Sequence, residues 1–223
     1  MSKILISGYY GFANAGDEAM LTAIIESLRQ VEKNVELTVL SGNPEDTAAK
    51  HQVCSVYRFN PLGIIRTMKD SELIISGGGS LLQDVTSKRS LLYYLSIIGL
   101  GKFFGKKVML FAQGIGPIRA KWARKLTSLV CNEADLITVR DSESAAELIE
   151  MGVKPEKITV TADSVLSLNP VTKECGQYLL QEAGVDLTKP VIGISVRPWS
   201  GDSQCFQVLA EAASKLQQSY GAQ

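Results

Sequence analysis

Strand-length apolar runs recur at residues 4–7, 35–40, 73–76, 108–112, 136–139, 158–161 and 191–196, with 53–56 a weaker eighth. Each is apolar almost throughout rather than alternating with polar residues. That is the pattern of a strand covered on both faces, and hence of a parallel sheet. Helical patterns lie between them at 17–30, 88–104, 120–133 and 142–151; the first places Met20, Ala23, Ile24 and Leu28 on one side, and Gly152 closes the last. Alternating strands and helices predict an α/β fold built on a doubly wound parallel sheet. Ligands of such sheets sit beyond the carboxyl ends of the strands.

Three of the runs lead into glycine-rich turns at that end: GYYGFANAGDEA (8–19), SGGGS (76–80) and QGIGP (113–117). The first passes straight into a helix, and helix N-termini carry unpaired N–H groups and partial positive charge. Glycines let a phosphate or carboxylate approach that backbone closely. Three such turns predict one shared cleft. Gly11, Asn14 and Gly16 from the first turn, Gly77, Gly78, Gly79 and Ser80 from the second, and Gln113 and Gly114 from the third are candidate substrate-binding residues. Gln83 and Arg89 follow the second turn closely enough to join them. Arg140 and Arg197 end later strand runs and supply the planar fork that pairs with carboxylate or phosphate. Asp17, Asp84 and Asp163 are the candidates for proton transfer or sugar orientation. Asn14 and Asp17 also suit plain helix capping, and Arg140 also suits a surface ion pair.

The first turn is not the dinucleotide fingerprint. Its glycines run G-x-x-G-x-x-x-x-G, and the second strand run ends Leu40, Ser41, Gly42 without the acid that binds a ribose. No P-loop pattern occurs either. Lys and Arg total 23 against 23 Asp and Glu, so the long basic surface that nucleic acid demands is missing. Cys54, Cys131, Cys175 and Cys205 include no C-x-x-C pair and read as buried free thiols in a reducing cytoplasm, with no metal site. His51, the single histidine, falls in a polar stretch and reads as solvated, which argues against a Ser-His-Asp or Cys-His mechanism carried by this chain. The longest apolar stretch, 91–100, is shorter than the ~20 residues of a membrane-spanning helix. It reads as a core helix, with the alternative that Tyr93, Tyr94, Lys102, Phe103 and Phe104 touch a membrane or a lipid-linked substrate.

Residues 164–173 read as a linker. Beyond them lie helical patterns at 174–184 and 204–220 and one strand run, 191–196. A lone strand leaves its backbone groups unpaired, so two domains are expected: residues 1–168, and residues 169–223 as linker and the start of a second domain that these residues only begin.

The motifs at 8–19, 76–80 and 113–117, with VRDS (139–142) and AD (162–163), together resemble the polysaccharide pyruvyl transferase family. Within it the chain is most similar to the bacterial cell-wall type that prepares a secondary cell-wall polymer for S-layer anchoring. The resemblance implies Rossmann-like halves in a two-domain, GT-B-like architecture with the active site between them. It implies transfer of pyruvate from phosphoenolpyruvate, as co-substrate and without a further cofactor, onto two hydroxyls of N-acetylmannosamine as a cyclic ketal. The acceptor it implies is a lipid-diphosphate-linked amino-sugar disaccharide, met in the cytoplasm or at the inner face of the membrane. The family's Arg-x-x-His-like or Arg-Leu-His segment belongs to its second half and does not occur here. A GT-B-type glycosyltransferase using a nucleotide sugar and a non-catalytic carbohydrate-binding half remain the competing readings.

Overall fold

The computed structural model describes residues 2–196 and 203–223. It forms two compact units, residues 1–168 and 169–223. The first unit holds seven parallel strands: β1 (Lys3–Tyr10), β2 (Glu36–Ser41), β3 (Cys54–Tyr57), β4 (Leu73–Gly77), β5 (Lys107–Gln113), β6 (Leu136–Val139) and β7 (Ile158–Val160). Their order across the sheet is β3-β2-β1-β4-β5-β6-β7. The direction of winding reverses between β1 and β4, and in a doubly wound sheet the ligand crevice opens at that reversal.

The connecting helices are α1 (Ala15–Val31), α2 (Pro44–His51), α3 (Pro61–Asp70), α4 (Lys88–Phe103), α5 (Lys121–Glu133) and α6 (Ser142–Glu150). Side-chain alternation along the strands divides the core in two. Ile4, Ile6, Leu37, Val39 and Ile75 face α1 through Leu21, Ile24 and Ile25. Leu5, Leu40, Ile74, Val108, Leu110, Ile137 and Val139 face the opposite way, against apolar residues of α3 to α6. Burial on both faces is the physical reason the strand runs read as apolar throughout.

Helices α2 and α3 are absent from the sequence-based expectation. Both carry a start signal, since Asn43 and Asn60 accept from Asp46 and Gly63 N–H groups and each precedes a proline at the first helical position. Short length and, in α3, an internal glycine weakened the periodic signal. Helix α4 is a core helix, with Leu91, Tyr94, Leu95, Ile97 and Ile98 buried. No described helix is long and apolar enough to cross a membrane. Of the four free cysteines only Cys131 is buried; Cys54, Cys175 and Cys205 are exposed, against expectation, because they lie outside the two-faced core. Burial pushes the Cys131 thiol up to about 12.

The second unit contains α7 (Lys173–Glu182), capped by Thr172, and α8 (Ser203–Tyr220). Residues 191–196 form no strand, contrary to the sequence expectation. No second strand is present among the described residues of this unit to pair with them, and Ile192 N–H donates to the Gln223 carbonyl instead, at 3.0 Å.

Asp135 ties β5 and β6 to the end of α4. It accepts from Val108 N at 2.8 Å and from Lys102 Nζ at 2.6 Å, and pairs with Lys107 Nζ at 3.2 Å. Burial alone would raise its pKa, but these donors prevail and lower it to about 2. A depressed carboxyl pKa stabilises the fold above its unfolded value, about 3.9, and that contribution fades as pH falls towards the folded value. Asp135→Asn is therefore expected to lower stability most near neutral pH. The gap to the parent, read from urea melts, should narrow steadily between pH 4 and pH 2.

Candidate active site

The first glycine turn is organised around Tyr10. Pairing of β1 with β2 is irregular between Ser7 and Tyr10, so the strand bulges and turns the Tyr10 ring inward. The ring is fully buried and its hydroxyl donates to the Gly77 carbonyl at 2.7 Å. A Cβ on Gly8 would lie 2.3 Å from Tyr10 Cζ, and one on Gly78 would lie 2.9 Å from the hydroxyl oxygen. Gly78 also has φ +94°, which disfavours any side chain there. Gly8 and Gly78 therefore make room for a tyrosine, a role not assigned to them from sequence. Burial, then the neighbouring Asp17, pushes the Tyr10 pKa well above its ordinary value, so the phenol stays protonated and donating.

The three turns meet. Gly79 N–H donates to Met20 Sδ on α1 at 3.0 Å, and a Cβ on Gly79 would lie 3.0 Å from Asp17 Oδ1. Gly114 N–H donates to the Gly79 carbonyl at 3.1 Å, and Gly116 N–H to the Leu82 carbonyl at 2.8 Å. Asn14 caps α1 by accepting from Gly16 N at 3.1 Å. Gly11 makes room for Ser41 and Asn43, since a Cβ there would lie 2.1 Å from Ser41 Oγ. Gly16 differs, because the nearest atom to a Cβ there is Asn14 Oδ1 at 3.5 Å. Its outer side is open to a ligand.

Arg140, at the end of β6, is the convergence point of the other side. Its Nη1 donates to Asp163 Oδ2 at 3.2 Å, its Nη2 to Ser80 Oγ at 3.3 Å, and its Nε lies 3.4 Å from Asp141 Oδ2. Gly114 makes room for this group, since a Cβ there would lie 2.8 Å from Arg140 Nε. Asp141 caps α6, and bonds from Ser144, then Arg140, hold its carboxyl below the usual range. Asp163 caps the 3-10 turn Ser164–Ser167, which packs beside α1. Residues 161–167 thus bring the chain from the β7 edge back across the strand ends.

Other sequence-predicted site residues have different positions. Both oxygens of Asp84 accept backbone N–H groups, from Arg119 and Ala120, at 2.9 Å each. These bonds lower its pKa and clasp the start of α5. Gln83 is folded onto its own loop, accepting from Val85 and Thr86 N–H groups and donating to Thr86 Oγ1. Gln113 is fully buried with its Nε2 donating to Ser76 Oγ at 2.8 Å, so it braces β4 against β5 beneath the cleft rather than facing a substrate. Arg89 is exposed on the first turn of α4. Arg197 lies outside the described residues.

His51 is not solvated. Its side chain is 8% exposed, with Nε2 at 3.2 Å from Glu18 Oε2, while Glu18 Oε1 accepts Gly11 N–H at 2.8 Å. The polar stretch around it is α2, whose C-terminal end docks on Arg29 of α1 through the Gln52 carbonyl at 2.7 Å. Glu18 and His51 line a groove of about 610 Å³ between α1 and α2, on the flank of the first glycine turn. An acid four residues beyond Asn14 was the available signal for Glu18. Nothing in the local sequence marks His51.

The parallel sheet, its winding reversal and the glycine turns joined at its carboxyl edge define a doubly wound, Rossmann-like α/β protein. The sequence pattern of the polysaccharide pyruvyl transferase family matches residues 14–204, and the chain belongs to that family. No curated protein matches the chain. Among solved structures it is similar to the UDP-GlcNAc 2-epimerase of Neisseria meningitidis bound to UDP-GlcNAc, at 13% identity and a TM-score of 0.60, over 99% of this chain and 64% of that one. Anabaena HepE in complex with UDP and glucose is similar at 14% identity and a TM-score of 0.58, over 95% and 58% of the two chains. A Rickettsia africae glycosyltransferase aligns at 14% identity and a TM-score of 0.57, over 97% and 58%. The chain thus spans about three fifths of the length of these proteins, and the likeness is one of fold.

Two substitutions separate the structural glycines from the open one. Gly8→Ala is expected to cost on the order of 3 kcal/mol in a urea melt, as overpacking against Tyr10 and the Gly77 carbonyl. Gly16→Ala should be neutral or stabilising by up to about 1 kcal/mol, through helix propensity. Any loss of ligand binding in a fully folded Gly16→Ala protein would place a ligand on that backbone.

Proposed function

We propose that this family member transfers pyruvate from phosphoenolpyruvate to two hydroxyls of an N-acetylmannosamine residue on a lipid-diphosphate-linked disaccharide. The type is that of the cell-wall enzyme CsaB, serving a secondary cell-wall polymer that anchors an S-layer, with peripheral contact at the inner face of the membrane. The observation that carries this reading is Arg140, held by Ser80, Asp141 and Asp163 at the carboxyl edge of the sheet in a chain whose family is known.

Phosphoenolpyruvate bears a carboxylate and a phosphate, and a guanidinium fork pairs with either bidentately. The first sugar hydroxyl attacks C2 as the methylene carbon accepts a proton. The C2–O bond to phosphate then breaks and the second hydroxyl closes the ring. One hydroxyl proton is balanced by the new methyl hydrogen and the other leaves with phosphate. This reading assigns sugar orientation or proton transfer to carboxylates among Asp17, Asp84 and Asp163. Gly16 and the start of α1 offer N–H groups to negative charge.

The test is mass spectrometry of the lipid-linked disaccharide after incubation with the protein and phosphoenolpyruvate, with phosphate release followed in parallel. Ketal formation and matched phosphate are expected. Consumption of a nucleotide sugar with phosphoenolpyruvate untouched would establish a glycosyltransferase instead, and acceptor binding without turnover a carbohydrate-binding role. In an active preparation, Arg140→Ala should lower kcat/KM at least about 100-fold, on the order of 3 kcal/mol of transition-state stabilisation. Its stability should stay within about 1 kcal/mol of the parent, because the ion pairs it loses are partly exposed. A near-parental rate would remove Arg140 from the site.

A further inference from the structure

Arg58, which directly follows β3, is 5% exposed, and no carboxylate pairs with it among the described residues. Four aromatic rings surround its guanidinium carbon, with centroids at 4.4 Å (Tyr93), 5.1 Å (Phe59), 5.3 Å (Phe12) and 5.5 Å (Tyr94). Ring faces attract a cation but accept few of the five N–H bonds a guanidinium offers. Arg58 Nε is buried without a hydrogen-bond partner, and the buried Tyr93 and Tyr94 hydroxyls lie beside the guanidinium and pair with no other group. A buried cation with no carboxylate and an unpartnered Nε, beside two phenols that can each still donate, suits an acceptor-rich anion.

The walls of this cage come from the turn after β1, the turn after β3 and α4, which follows β4. The turn after β1 and helix α4 flank the winding reversal where a doubly wound sheet receives its ligand, and the turn after β3 approaches them from the edge strand, two strands away from β1. Its rim is apolar and accessible: Phe59 is 61% exposed, Tyr57 48%, Phe12 42% and Tyr9 40%. Tyr9 stacks on Phe12 at 4.3 Å, and Tyr57 meets Phe59 edge-on at 5.9 Å. A charged floor under an aromatic rim matches a ligand whose anion adjoins an apolar group.

We propose that Arg58, with the Tyr93 and Tyr94 hydroxyls, binds a phosphate ester carried on an apolar chain, the phosphate seated on the three donors and the chain lying across Phe12 and Phe59. Entry requires the exposed Phe12 or Phe59 ring to turn aside. The subsite's role as part of acceptor binding rests on the proposed function, but the binding itself does not.

The experiment is calorimetric titration of the whole chain with farnesyl phosphate, beside inorganic phosphate, farnesol and UDP. Farnesyl phosphate is expected to bind, and Arg58→Met to weaken it at least tenfold. Without ligand, the Tm of Arg58→Met should equal or exceed the parent's, since an apolar side chain of similar length replaces an unpaired buried cation. Arg58→Lys should retain part of the affinity. Equal affinity in parent and Arg58→Met, or no binding by the parent, would overturn the proposal. UDP binding with the same Arg58 dependence would overturn the choice of an apolar chain. Should Arg58→Met fail to fold, Phe59→Ala at the exposed rim replaces it, and unchanged farnesyl phosphate affinity there would overturn the proposal equally. Competition by anionic phospholipid vesicles would assign the phosphate ester to a bilayer headgroup, and its absence to a single carrier lipid. Arg58-dependent binding without pyruvyl transfer would defeat the proposed reaction and leave this subsite standing; transfer by a protein whose lipid affinity ignores Arg58 would do the reverse.

Discussion

The Tyr10 hydroxyl on the Gly77 carbonyl joins the two strands that flank the reversal of winding. Parallel strands diverge in their connections at such a point, because one half of the sheet continues through α1 and the other through α4. A gap opens there by topology alone, and it must stay open at the surface yet closed beneath. A fully buried aromatic ring closes it beneath. The bulge in β1 aims that ring inward, and glycines at positions 8 and 78 leave the volume it occupies. Above the ring, the second glycine turn is held to α1 through Met20 and to the third turn through Gly114. The crevice is shaped by a core residue as much as by its own loops.

Two arginines near that edge illustrate opposite electrostatic conditions. Arg140 is partly exposed and held in place by Ser80, Asp141 and Asp163, so its direction is fixed while its charge is partly balanced. Arg58 is buried, stacked among rings and lacks a carboxylate among the described residues. Desolvating an uncompensated charge is costly in any fold. Cation–π contacts and the neighbouring Tyr93 and Tyr94 hydroxyls offset part of that cost, but they leave Nε without a hydrogen-bond partner.

Much of the architecture was legible in the sequence because two-sided burial writes a continuous apolar run, and every strand of the sheet had such a run. The residues 191–196 run had the same composition without a described neighbour to pair with, so composition alone overstated it. The glycine turns were legible as turns, but their purpose was not. Three consecutive glycines look alike in sequence, whereas in space Gly78 yields to Tyr10 and Gly79 faces Asp17. Asp84 and Gln83 resembled ligand groups because short polar side chains after a glycine turn serve equally well to bind a loop's own N–H groups. Arg58, His51 and Tyr10 were missed because each acquires meaning only from residues tens of positions away. Sequence spacing carries no trace of a Glu18–His51 contact or of four rings gathered from three segments.

The proposed reaction separates into demands that the two halves of the crevice meet differently. Attack at C2 of an enol phosphate needs negative charge held in a fixed direction, and an arginine braced by its neighbours supplies that without reorganising at the moment of reaction. On the proposed reading, holding an acceptor on an apolar carrier needs a charge for its phosphate and an apolar rim for its chain, the parts that Arg58 and the exposed Phe12 and Phe59 rings offer. In the sheet, β6, which leads to Arg140, and β3, which leads to Arg58, are separated by five strand intervals, about 24 Å at ordinary strand spacing. Both side chains reach inward from these outer strands towards the reversal. A substrate spanning them would have its reactive sugar near one arginine and its carrier phosphate near the other. If the proposed reaction holds, that division would keep the anionic anchor away from the site of bond exchange, so the donor's phosphate and the acceptor's would not compete for a single guanidinium.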